Sequence, residues 1–143
     1  MKRIIAAIAL FVAATFITTG SALAQDHRAK ATVPFNFTVN GSWLPAGNYT
    51  IGSDSTSANM LSITDREKSV HILAMGLADP NYSGTSSKLV FHKYGNQYFL
   101  SEICYSDSST KVDFPTSKAE KRAKSQRLEA GLRVNNDVMI ALN

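Results

Sequence analysis

Apolar and polar residues alternate most regularly in residues 33–51, VPFNFTVNGSWLPAGNYTI. Val33, Phe35, Phe37 and Val39 fall on one side of an extended chain, with Pro34, Asn36 and Thr38 on the other. That period of two predicts a half-buried strand over 33–39. Pro34 has no N–H, which suits an edge position or the start of the strand. Asn40-Gly41 tolerates positive φ and marks a turn. Leu44-Pro45-Ala46-Gly47 is a second turn, in which proline pre-sets φ and glycine relaxes the exit. Tyr49 and Ile51 resume the apolar face on a return strand.

Further along, residues 60–64 read as a short strand closed by Asp65-Arg66-Glu67-Lys68, a solvated charged turn between antiparallel neighbours. Residues 69–77 are apolar on both faces, which predicts a central strand or one touching a second layer. Residues 79–87 form a loop rich in turn formers, the longest irregular segment and the best place for a binding loop. Residues 88–105 make the clearest hairpin, with Gly95-Asn96 as a type II′ turn. That turn pairs Tyr94 with Gln97, His92 with Phe99, Val90 with Ser101 and Leu89 with Glu102. It puts Leu89, Phe91, Tyr98, Leu100, Glu102 and Cys104 on one face. Val90, His92, Tyr94, Phe99 and Ile103 take the other. Two apolar faces call for a layered or closed β structure. Pro115 and Thr116 then introduce a basic helix at about 116–130, whose Ser117-x-x-Glu120 has the form of a capping box and which Gly131 stops. Residues 137–142 add one more strand through Val138 and Ile140. The expected fold is mainly β: an antiparallel β-sandwich or small β-barrel of about seven strands with one C-terminal helix.

Leu89-Val90-Phe91-His92-Lys93-Tyr94-Gly95 running into Gln97-Tyr98-Phe99-Leu100-Ser101-Glu102-Ile103 resembles a signature of small exported proteins of soil bacteria. Val33-Pro34-Phe35, Leu44-Pro45-Ala46-Gly47-x-Tyr49 and Ser117-Lys118-Ala119-Glu120 are similar as well. That family carries signal peptides and has no assigned function. The resemblance therefore implies no activity and transfers no catalytic residue. Residues 132–143 depart from it.

The first 24 residues add a destination. Lys2 and Arg3 precede a nearly all-apolar run over 4–17, and Ala22-Leu23-Ala24 is a small-x-small cleavage pattern. Together they predict a signal peptide at 1–24 with Gln25 as the mature N-terminus, and a periplasmic or extracellular protein. The apolar run is short for a transmembrane anchor, so none is expected after cleavage. The form of the signal suggests bacterial export. Residues 25–143 suffice for a single β-rich domain with its own core. Removing Lys2 and Arg3 lowers the formal charge from +4 to +2. So weak a field on an exported chain argues against nucleic acid as a partner. The single cysteine, Cys104, cannot form an internal disulfide. It is either buried or links two copies, and its place on the apolar end of a strand favours burial.

Candidate chemistry is sparse. His27, His71 and His92 show no HxH or HExxH spacing, no CxxC exists, and no metal site or cofactor is expected. Glycine-rich phosphate loops and GxSxG are absent too. Glu102, on an apolar face, would be a polar anchor in a ligand cavity, or else a salt-bridged or rim residue. Trp43 and Tyr49 suggest an aromatic platform of the kind that binds sugars, or seals on the core. With His92 and Tyr94 these residues make up the candidate ligand site. Lys118, Lys121, Arg122, Lys124 and Arg127 outnumber Glu120 and Glu129 on the helix. They offer a contact for an anionic surface, such as an envelope component or acidic polymer, or simply a solvated face. The leading expectation is a non-enzymatic, envelope-associated binding module. A carrier of a small apolar ligand with an interior cavity is the alternative. A further one is an enzyme of unfamiliar type using Glu102 with His71 or His92.

Overall fold

The alternation over 33–39 holds, yet it does not belong to one strand. The computed structural model describes residues 28–54, 57–134 and 136–143; the predicted signal peptide lies outside them. Strand β1 (Arg28–Val33) ends at Pro34, and β2 (Phe37–Val39) begins in a different sheet. Proline is tolerated at this crossing because its missing N–H is needed by neither ladder. Phe35 lies between the sheets, its ring stacked on Tyr98 at 3.9 Å and edge-on to Phe91 at 5.2 Å. Val33, Phe37 and Val39 are all buried.

The remaining strands are β3 (Ser42–Leu44), β4 (Gly47–Asp54), β5 (Ser57–Asp65), β6 (Val70–Met75), β7 (Leu77–Asp79), β8 (Lys88–Tyr94), β9 (Gln97–Tyr105), β10 (Thr110–Asp113) and β11 (Asp137–Ala141). Helix α1 (Lys118–Glu129) lies between the last two. The first sheet has the order β1-β4-β5-β6, all antiparallel. The second runs β11-β8-β9-β10-β7, and β2 joins it through a parallel pairing with β9 and a hairpin with β3. The two sheets form a sandwich and do not close into a barrel. Among the described residues there are eleven strands where about seven were expected. The difference lies in short strands such as β3, β7 and β10, too brief to show a period.

Both predicted hairpin corners form. Asn40 and Gly41 have φ of 49° and 86°, and Thr38 pairs with Trp43 across them. Gly95 has φ 66°, the conformation that a type II′ corner asks of its first residue. The core fills the space between sheets: Ala31, Val33, Tyr49, Ile51, Leu61 and Ile63 from the first meet Phe37, Leu44, Leu89, Phe91, Leu100 and Ile103 from the second. At one corner the sheets touch, where Lys30 and Asn143 exchange backbone hydrogen bonds of 2.9 Å.

Three expectations need correction. The strand apolar on both faces, β6, is an edge strand, and Leu73 and Met75 on its outer side are 58% and 62% exposed. The charged turn after β5 is not wholly solvated. Asp65 is buried, its Oδ1 accepting the backbone N–H groups of Glu67 at 3.0 Å and Lys68 at 3.2 Å. The hairpin register holds from Tyr94–Gln97 to Phe91–Leu100 and then slips, because Ser101 bulges out and Val90 pairs with Glu102. An extra residue in one strand inverts the alternation beyond it. Ile103 thereby turns into the core, and Glu102 and Cys104 leave it for the outer face.

Candidate functional site

Helix α1 lies on the outer face of the second sheet, over the β8–β9 hairpin. Ser117 caps it by accepting the Glu120 backbone N–H at 3.1 Å. The reciprocal half of the capping box is replaced by a tertiary contact. The Glu120 carboxylate turns toward the sheet, where its Oε1 meets His92 Nδ1 at 2.7 Å. Tyr94 lies beside Glu120, and burial followed by the charges of Glu120 and Asp137 pushes its phenol up. Ala123, one turn on, packs against Tyr94 and Phe99. Glu120 and Ala123 are the helix's buried residues. A single methyl and a paired carboxylate thus seat an otherwise polar helix.

This seating sorts the predicted cations. Lys118, Lys121, Arg122 and Lys124 are exposed. Arg127 is not among them: it lies on the side of Glu120 and Ala123, seven and four residues along, and its Nη2 donates to the Arg133 carbonyl at 3.2 Å. Leu128 is 57% exposed. The carboxylate of the first turn is hidden, and the outward face is left cationic.

The predicted ligand residues do not converge. Trp43 is 65% exposed on β3 and seals nothing. Tyr49 is buried between the sheets, edge-on to Phe37 at 5.3 Å, with its hydroxyl donating to the Pro45 carbonyl. His92 and Tyr94 share the place beneath α1. Glu102 is half-buried on the outer face, immediately after the bulge. His92 takes Glu120 as its carboxylate instead of Glu102, and His71 is on the other sheet, bonded to Thr64 Oγ1 at 3.0 Å. Cys104 is buried on the same outer face, its thiol raised chiefly by burial. Among the described residues no group of three or more His, Cys, Asp or Glu side chains is placed to hold a metal ion. No helix among them is long and apolar enough to cross a membrane.

Glu120 is the residue that sequence reasoning missed. Its signal was present: Glu120, Ala123 and Arg127 follow the i, i+3, i+7 spacing of one helix face. The capping-box reading assigned that carboxylate a local role and left His92 without a partner. Compared with protein-family models, curated proteins and solved structures, the chain matches none.

Proposed function

We propose that this chain is an exported, non-enzymatic module of the bacterial envelope that docks on an anionic surface through α1. The observation carrying the reading is the orientation of that helix: Glu120 faces inward against His92, while Lys118, Lys121, Arg122 and Lys124 face outward. Four like charges on an exposed face repel one another and gain by meeting anions. The predicted signal peptide and the resemblance to small exported proteins support the location. The apolar-carrier alternative has less to rest on, because aromatic and aliphatic side chains fill the space between the sheets.

Co-sedimentation of the purified protein with bacterial envelope fractions tests the reading. Binding at low salt, weakened as ionic strength rises, is the expected result. Replacing Lys118, Lys121, Arg122 and Lys124 together by glutamate weakens it. Equal sedimentation of that variant, with its circular dichroism unchanged, refutes the proposal.

A further inference from the structure

The first sheet turns a second cationic surface outward, on the side of the sandwich opposite α1. Its residues alternate with the buried Ala31, Tyr49, Ile51, Leu61 and Ile63 and therefore point away from the core. The register lines them up across the strands. Lys30 stands opposite Thr50, Thr50 opposite Thr64, and Thr64 opposite His71. In the adjoining row Arg28 stands opposite Gly52, and Gly52 opposite Ser62. With Arg66 from the turn after β5, these residues line a cleft of about 570 Å³. Among the described residues no aspartate or glutamate lines it.

We infer that this cleft binds an acidic polysaccharide, a chain of uronate-type sugars laid across the four strands. Three properties select that ligand class. The first is spacing: Lys30 and His71 are three strand separations apart, about 14 Å. Cations set apart in this way, Lys30 on β1 and Arg66 beyond β5, match charges repeated along a polymer better than one compact phosphate, and the strand N–H groups that would cradle a phosphate are engaged in the ladders. The second is the floor. Thr50, Ser62 and Thr64 present hydroxyls that donate and accept, as sugar hydroxyls do. Thr64 also holds the His71 ring in place through Nδ1 at 3.0 Å. The third is the lack of other platforms in the lining: among the described residues it has no phenyl or indole ring for nucleobases and no large apolar side chain to enter a bilayer. Gly52 keeps the trough open. A Cβ there would make only ordinary contacts, 3.5 Å from Ser62 Oγ and 3.6 Å from Arg28 Cγ, so the position admits a side chain that stands in the trough.

The assignment stands independently of α1, and a residue-resolved titration separates the two. Isotope-labelled protein is titrated with oligogalacturonate, with its methyl ester, and with phosphatidylglycerol vesicles. The expected result is that oligogalacturonate shifts the amides of Thr50, Gly52, Ser62 and Thr64, and that the uncharged ester binds about tenfold more weakly or not at all. The Lys30→Glu, Arg66→Glu double variant weakens binding by at least about tenfold. Gly52→Leu, which keeps every charge, blocks the trough and weakens it similarly. Amide spectra of the free variants report their folding. Shifts confined to α1, equal response to acid and ester, a response to vesicles alone, or folded variants that bind like the parent overturn the assignment.

Discussion

Two tyrosines with similar surroundings answer differently to the loss of one oxygen. Tyr49 donates its hydroxyl to the Pro45 carbonyl, whereas the buried Tyr105 hydroxyl has no partner among the described residues. Tyr49→Phe should cost about 1 kcal/mol in denaturant unfolding, and Tyr105→Phe should be neutral or stabilising, because an unmet hydroxyl is better removed than buried. Burial pushes both phenols up to about 12, aided by Asp65 at Tyr49 and Asp107 at Tyr105. In the unfolded chain they ionise near 10. Stability from this source is complete below pH 10 and is lost as pH rises toward 12, since the unfolded state releases its protons first. Unfolding curves between pH 9 and 12 should show that fall, with a shallower slope in either phenylalanine variant. The turn at residues 44–47 depends on a similar local fit. The Ala46 N–H donates to Asn36 Oδ1 at 2.9 Å, and Lys68 Nζ donates to the Ala46 carbonyl. A Cβ on Gly47 would overlap the Asp65 carboxylate. Asp65 is already held by two backbone N–H groups and has little room to yield. Gly47→Ala should therefore destabilise by about 1–3 kcal/mol, measurable as a lowered denaturation midpoint.

At the scale of elements, the helix is attached by chemistry more than by apolar area. Ala123 supplies the buried apolar contact of α1 itself, so the His92–Glu120 bond must orient the helix on the sheet. Removing His92 leaves a buried carboxylate with one fewer donor. His92→Ala should cost about 1–3 kcal/mol and raise amide exchange in residues 118–129 above that of β8 and β9. Uniform loss of protection across the sheet would contradict this division. The helix itself was legible: Ser117 caps it, and the predicted end near Gly131 agrees with a helix closing at Glu129. Its anchor was not legible, because a capping-box glutamate and a tertiary glutamate share one spacing. In the β8–β9 hairpin, the corner and its first pairings followed from Gly95-Asn96. The bulge at Ser101 did not, since nothing in LSEI marks which residue is extra. Glu102 lost its anomalous place as soon as the bulge moved Ile103 into the core.

For the whole molecule, the consequence is two cationic surfaces on opposite sides of one sandwich. One is a helix carrying Lys118, Lys121, Arg122 and Lys124, and the other is a sheet row running from Lys30 to His71. Reversing either set of charges should leave binding at the other intact, because the core separates them by two sheets and both exceed screening distance at moderate salt. A combined variant that lost no more affinity for envelope material than α1 reversal alone would argue against two working faces.

Local pattern by itself determined the β character, the hairpin corners at Asn40-Gly41 and Gly95-Asn96, and the helix with its cap. Each depends on backbone preferences or on a period read within a few residues. Tertiary structure alone decided which sheet each strand joins, where the alternation slips, and which charged residues share a surface. The chain crosses between sheets at Pro34 without breaking its inward-outward rhythm, and one unpaired residue at 101 reverses that rhythm downstream. Lys30, Thr50, Thr64 and His71 become neighbours only through ladders linking distant segments. Such pairings are selected by the energy of the assembled core and leave no mark on any single strand.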